Sequence, residues 1–138
     1  WRDKKNTTLA FRDGWFRTGD AGFLDKDNFL FITDRLKDMI ISGGENIASL
    51  ELERVIQKMP EIKEVAVVGI PSEKWGEVPV AVVVCNDGDT IDIRSLDKHC
   101  RAHLAAFKVP KKLVITDSLP RNPSGKLLKR IIRQKVQT

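Results

Sequence analysis

Val65-Ala66-Val67-Val68-Gly69-Ile70 is an unbroken apolar run, and after a polar gap it is answered by Val78-Pro79-Val80-Ala81-Val82-Val83-Val84-Cys85. Short runs this rich in valine read as buried strands. Pro71 ends the first, Ser72–Glu77 reads as a loop carrying Trp75-Gly76, and Pro79 is tolerated near the start of the second. Upstream, Leu52, Val55, Ile56 and Met59 recur at i, i+3, i+4 and i+7, which predicts a helix over 49–59 stopped by Pro60. Downstream, Asn86-Asp87-Gly88-Asp89 turns the chain. Asp92 or Thr90 then caps a second helix near 93–105, with Leu96, Cys100 and Leu104 inward. Phe107–Lys111 leads into a short strand, Lys112–Ile115. A last helix after Lys126 carries Leu127, Leu128, Ile131 and Ile132 on one side and Lys129, Arg130 and Arg133 on the other. A β-like Met39-Ile40-Ile41 before Gly43-Gly44 completes the order hairpin–α–β–β–α–β–α. The fold class is α+β: a short hairpin and a three-stranded sheet packed with helices.

Ahead of this domain, residues 1–14 are polar and loop-like apart from Leu9-Ala10-Phe11. Asp13-Gly14 and Thr18-Gly19-Asp20 read as turns around a short strand, and Asp25-Lys26-Asp27-Asn28 turns into a returning strand, Phe29–Thr33. Asp20 lies between Gly19 and Gly22, where backbone can approach a ligand closely. Its carboxylate can accept two hydroxyl donors at once, as a ribose diol offers; it could equally close its own turn. Asp34-Arg35-Leu36-Lys37 shows no buried face and is a candidate boundary between folding units.

Charge is unevenly spread. The net is +5, but from Lys108 onward nine Lys or Arg stand against one acid, Asp117, leaving 15 basic and 18 acidic residues elsewhere. A basic end suits an anionic partner, whether nucleotide, coenzyme, nucleic acid or membrane surface; the alternative is a solvated helix face. Cys85 and Cys100 have neither metal-ligand nor disulfide spacing, which points to a reducing compartment. His99 and His103 stand at i,i+4 without a completing carboxylate or thiolate, so they read as helix-surface residues and no metal site is expected. No apolar run approaches membrane-spanning length. Because the chain begins with Trp1 rather than Met, a missing N-terminal part is expected.

Near the end stands Leu119-Pro120-Arg121-Asn122-Pro123-Ser124-Gly125-Lys126-Leu127-Leu128-Lys129. The prolines stiffen the approach and Ser124-Gly125 supplies a turn. Lys126 follows it directly, suited either to carrying a point charge to an anionic group or to simple exposure on a loop. It is not a phosphate-cradling P-loop, because Pro120 stands where that pattern needs glycine and Leu127 where it needs Ser or Thr.

Four pieces now occur in series: Phe16-Arg17-Thr18-Gly19-Asp20; Asp34-Arg35-Leu36-Lys37-Asp38 with Ser42-Gly43-Gly44-Glu45-Asn46-Ile47; Phe107-Lys108-Val109-Pro110-Lys111; and Pro120–Lys126. Together they resemble the last core motifs of the adenylate-forming superfamily of acyl-CoA synthetases, firefly luciferase and nonribosomal peptide adenylation domains. The stretch Asp34–Asn46 is most similar to the fatty-acid and related acyl-CoA ligases. Three positions depart from the common pattern: Asp34 where many members have Gly, Ala48-Ser49 at the helix start, and Phe16 for Tyr.

The resemblance implies an AMP-forming ligase that joins a carboxylic acid to the α-phosphate of ATP and then passes the acyl group to CoA. By motif, Asp20 would hold the ribose hydroxyls and Arg35 would contact ribose or phosphate. Lys126 would be catalytic, bridging carboxylate and α-phosphate. Lys37 would be the hinge about which the small domain rotates between steps. Gly43 and Gly44 would line the pantetheine tunnel, and Trp75, Phe107, Lys108 and Lys111 would meet the adenine and phosphates of CoA. Residues 1–35 would be the end of a large adenylation domain, 36–38 the hinge and 39–138 the mobile small domain. The Mg2+ ligand and the acyl pocket would lie upstream, so the fragment alone is expected to be inactive. Other implied partners are the acid substrate and the missing N-terminal domain of the same chain, in the cytoplasm. Two other readings stay open: a peptide-synthetase adenylation tail and a basic nucleic-acid-binding module, the latter without an RNA-binding aromatic signature.

Overall fold

A computed structural model describes residues 2–137. The chain forms two compact units, Trp1–Lys37 and Asp38–Thr138.

In the first unit, helix α1 (Lys4–Ala10) precedes strands β1 (Phe11–Arg12), β2 (Trp15–Phe16), β3 (Asp20–Leu24) and β4 (Leu30–Arg35). The helix corrects the reading of residues 1–14 as loop. It has no buried residue and so no periodic signal; a local cap fixes it, with Asn6 N donating to Asp3 Oδ1 at 3.0 Å. β1 pairs with β2 and β3 with β4, both antiparallel. A bulge between Ala21 and Gly22 explains the second glycine. A Cβ at Gly22 would stand 2.5 Å from the Phe31 carbonyl oxygen, so the backbone approaching closely there is the partner strand's.

The second unit holds β5 (Ile40–Ser42), β6 (Glu45–Ile47), α2 (Ser49–Ile56), β7 (Ile62–Ser72), β8 (Gly76–Cys85), α3 (Ile93–Arg101), β9 (Lys112–Ile115) and α4 (Lys129–Gln137). The hairpin and the three strands make one sheet of five, because β5 joins β8 at Ser42↔Gly76 beyond the end of β9. β7 runs through Pro71 to Ser72 instead of stopping there. It is an edge strand, where a residue lacking N–H is tolerated. The supposed loop 72–77 is therefore a tight hairpin turning at Glu73–Trp75, with Gly76 at φ +77.

Both faces of the β7–β8 pair are covered, which is why the two runs are continuously apolar. Val65, Val67, Ala81 and Val83 pack with Leu52, Ile56, Leu96 and Cys100 from α2 and α3. Ala66, Val68, Val80 and Val82 pack with Leu119, Ile132 and Val136 on the other face. Both central helices are shorter than their apolar periodicity suggested, because single turns follow them: Met59 is buried beyond the end of α2 and Leu104 half-buried beyond α3. Asp92, not Thr90, caps α3, its Oδ1 accepting from Ser95 N at 2.7 Å.

Candidate active-site residues and their surroundings

In the first unit the β3–β4 register sets Asp20 opposite Arg35, and Arg35 Nε lies 3.1 Å from Asp20 Oδ1. Two residues 15 apart in sequence thus meet at one end of a hairpin. The turn before Asp20 is closed by Thr18, whose Oγ1 accepts from Asp20 N at 3.1 Å, so the Asp20 carboxylate is not spent on it. Phe16, Arg17, Thr18, Gly19, Asp20 and Leu36 line a pocket of about 470 Å³. Asp34 corrects the reading of its tetrad as wholly unburied: it is 2% exposed, and its Oδ1 accepts from Arg35 N at 2.7 Å. Lys37, the last residue of this unit, is exposed.

In the second unit, Gly43, Trp75, Phe107 and Lys111 line one cleft of about 460 Å³ together with Ser42 and Glu45. Gly43 has φ +59, its N donates to the Trp75 carbonyl at 2.8 Å, and a Cβ would stand 3.0 Å from the Trp75 ring. Gly44, at φ +84, faces open space and is not among the lining residues. Lys108 does not line the cleft but borders it, its Nζ 5.8 Å from the centroid of the Phe107 ring and 2.7 Å from both carboxylate oxygens of Glu51. The cation over Trp75 is Lys74, 4.9 Å from the ring centroid, which no motif marked.

Lys126 sits at the head of a closed loop. Asn122 N donates to the Lys126 carbonyl and Leu128 N to the Pro120 carbonyl, both at 2.9 Å. The Asn122 side chain organises the turn, its Oδ1 accepting from Ser124 Oγ and Lys126 N at 2.8 Å each. An Asn-Pro-Ser-Gly run is a turn signature that could have singled Asn122 out. Gly125 takes φ +83, and the Lys126 side chain is exposed.

Much of the basic end is neutralised or capped within the unit. Lys108 is paired with Glu51 and Arg121 with Glu64, and Lys112 Nζ donates to the Val136 carbonyl near the end of α4. Lys129 reaches Glu53 Oε1 at 2.7 Å and Ser49 Oγ at 2.6 Å; Glu53 Oε1 in turn accepts from Val67 N on the open edge of β7. This network was invisible in sequence because its partners lie up to 80 residues apart.

His99 is not simply a surface residue: it is half-buried, with Nε2 2.9 Å from the Val55 carbonyl, tying α3 to α2. Burial pushes the Cys100 thiol up to about 11, with Asp97 adding to it, so this sulfur is a core atom rather than a nucleophile. Among the described residues no group of three His, Cys, Asp or Glu could hold a metal ion, and no helix is long and apolar enough to cross a membrane.

A five-stranded sheet between helical layers, with an exposed lysine on a tight loop, defines a small α+β module. Residues 51–126 match the AMP-binding enzyme C-terminal domain, and the chain belongs to that family. It is 48% identical over 134 residues to the long-chain-fatty-acid–CoA ligase FadD13 of Mycobacterium tuberculosis, covering 97% of this chain and 26% of that protein. It is 46% identical over 133 residues to a 2-succinylbenzoate–CoA ligase of Listeria monocytogenes, covering 96% of this chain and 28% of the relative. The structure of ATP-bound MatB from Rhodopseudomonas palustris superposes with a TM-score of 0.93 at 40% identity, over 99% of this chain and 27% of that one. The chain therefore spans about a quarter of the length of these relatives.

Proposed function

We propose that this chain works as the C-terminal part of an AMP-forming acid–thiol ligase. In the first step a carboxylate oxygen of the acid attacks the α-phosphorus of ATP and pyrophosphate leaves, giving an acyl-adenylate. In the second, the CoA thiol, losing its proton, attacks the acyl carbon, AMP leaves and a thioester forms. Asp20 accepts from the ribose hydroxyls and Arg35, ion-paired to it, donates toward ribose or phosphate oxygens. Lys126 brings its ammonium to the point where carboxylate and α-phosphate meet, and a charge directed there stabilises the transition state by about 3 kcal/mol. Residues 1–35 belong to the large domain, 36–38 form the hinge with Lys37 as pivot, and 39–138 are the small domain that turns between steps.

The observation that carries this reading is the Lys126 side chain, exposed at the head of a loop whose backbone is internally hydrogen-bonded. Such a side chain is free to be delivered to a substrate. The cleft at Gly43, Trp75, Phe107 and Lys111 supports a CoA site through one cation and two aromatic rings. Gly43 in its wall, and Gly44 beside it though outside the lining, are assigned to the pantetheine arm. Lys108 stands beside that site over the Phe107 ring, with its charge paired to Glu51. The Mg2+ that accompanies ATP is assigned, by the family resemblance, to the upstream part of the enzyme. Two free thiols, Cys85 and Cys100, fit action in the cytoplasm.

The test separates the half-reactions in the full-length enzyme. Lys126→Ala should slow adenylate formation about 100- to 1,000-fold while leaving thioester formation from preformed adenylate and CoA intact. Equal loss of both, or loss of neither, would remove Lys126 from the first step. The 138-residue chain alone should form no acyl-adenylate from ATP and any acid.

A further inference from the structure

We propose that Arg121 is a positioning residue for Lys126, locking the peptide plane that carries the lysine to the edge of the sheet. The inference rests on the role given to Lys126 above. The peptide unit joining Gly125 to Lys126 is held at both ends: its carbonyl accepts from Arg121 Nη1 at 2.7 Å, and its N–H donates to Asn122 Oδ1 at 2.8 Å. The other arm of the same guanidinium, Nη2, is bonded to Glu64 Oε2 on β7. One planar fork therefore connects the sheet edge to the bond that orients the Lys126 Cα. Three residues further along β7, Val67 N is bonded to Glu53, which holds Lys129 at the far end of the loop. The two anchor points lie about 10 Å apart along the strand, so the loop is braced at both stems.

Two features separate positioning from plain stabilisation. Side chains of Arg121 and Glu64 are 43% and 34% exposed, and ion pairs that open to water add little to stability. Glu64 also neutralises Arg121, so the guanidinium does not compete with Lys126 for an anion. A loop lysine brought to its target by a turning domain must keep a fixed direction within that domain, because a displacement of about 1 Å can cost 100-fold in rate. Lysine at position 121 could reach Glu64 or the Gly125 carbonyl but not bridge both, since it lacks the rigid fork.

Arg121→Lys tests this on two independent readouts. In the 138-residue chain, amide hydrogen exchange at Lys126 should quicken at least about tenfold, with exchange at Val67 and Val83 in the core unchanged. In the full-length enzyme the same variant should slow adenylate formation about 10- to 100-fold. Thioester formation from preformed adenylate and the KM for ATP should stay within about twofold. Glu64→Gln, which keeps an acceptor for Nη2, should give a smaller loss. Arg121→Lys added to Lys126→Ala should cost nothing further, since there is no longer a side chain to aim. Unchanged exchange at Lys126 would overturn the tether whatever the reaction proves to be. Faster exchange with undiminished adenylate formation, or a full additional loss in the double variant, would overturn the positioning role.

Discussion

At the scale of single residues, Gly43 and Lys129 show how a site-bearing unit is held. Gly43 is required twice, by its φ of +59 and by the Trp75 ring 3.0 Å from where a Cβ would stand. Gly43→Ala should cost about 2 kcal/mol from the left-handed backbone alone and shift Trp75, read as a lower urea midpoint and altered tryptophan fluorescence. An unchanged midpoint would mean that the cleft wall adapts. Lys129 and Glu53 are only 11% and 12% exposed, and Glu53 also receives Val67 N. Removing the cation leaves a nearly buried carboxylate uncompensated, so Lys129→Ala should destabilise the chain by about 3 kcal/mol in urea unfolding. A loss below about 1 kcal/mol would show the pair to be screened by water. Asp20 and Arg35 were legible as candidates from their motifs, but their direct pairing follows from strand register and could only be seen in three dimensions.

At the scale of elements, the apolar runs on β7 and β8 announced buried strands, and their doubly covered faces account for it. Helix α1 was illegible because it buries nothing; its sequence signal is a cap, which is weak beside hydrophobic periodicity. The α3 cap carries a pH prediction. Hydrogen bonds from Ser95 hold the Asp92 carboxyl below its ordinary 3.8, so folding favours the ionised form. Its contribution is complete above about pH 3.8 and fades as pH falls through the lowered value. Asp92→Asn keeps a good cap but cannot titrate, so its thermal stability should fall less steeply in acid than the parent's. Parallel melting curves from about pH 5 to about pH 2.5 would show that the cap is not coupled to the charge.

At the scale of the whole molecule, the two units differ in what they bury. Unit 2 owns both hydrophobic clusters, whereas Trp15, Phe16, Phe23, Leu24, Phe29 and Leu30 of the first are all more than half exposed. Brief trypsin treatment should therefore cut first near Arg35 or Lys37 and leave a resistant piece beginning near Asp38. That piece should unfold cooperatively and bind less hydrophobic dye than the full chain. Equal resistance of both units would contradict it. The sequence by itself determined the element order of the second unit, the α+β class and the loop that carries Lys126, because hydrophobic period, proline stops and turn residues act locally. Only the tertiary structure decided that hairpin and strands share one sheet, that Lys108 is held by Glu51, and that Arg121 and Lys129 brace the Lys126 loop against β7. Each of those depends on charges and strand edges far apart in the chain, which meet only when the core has brought them together.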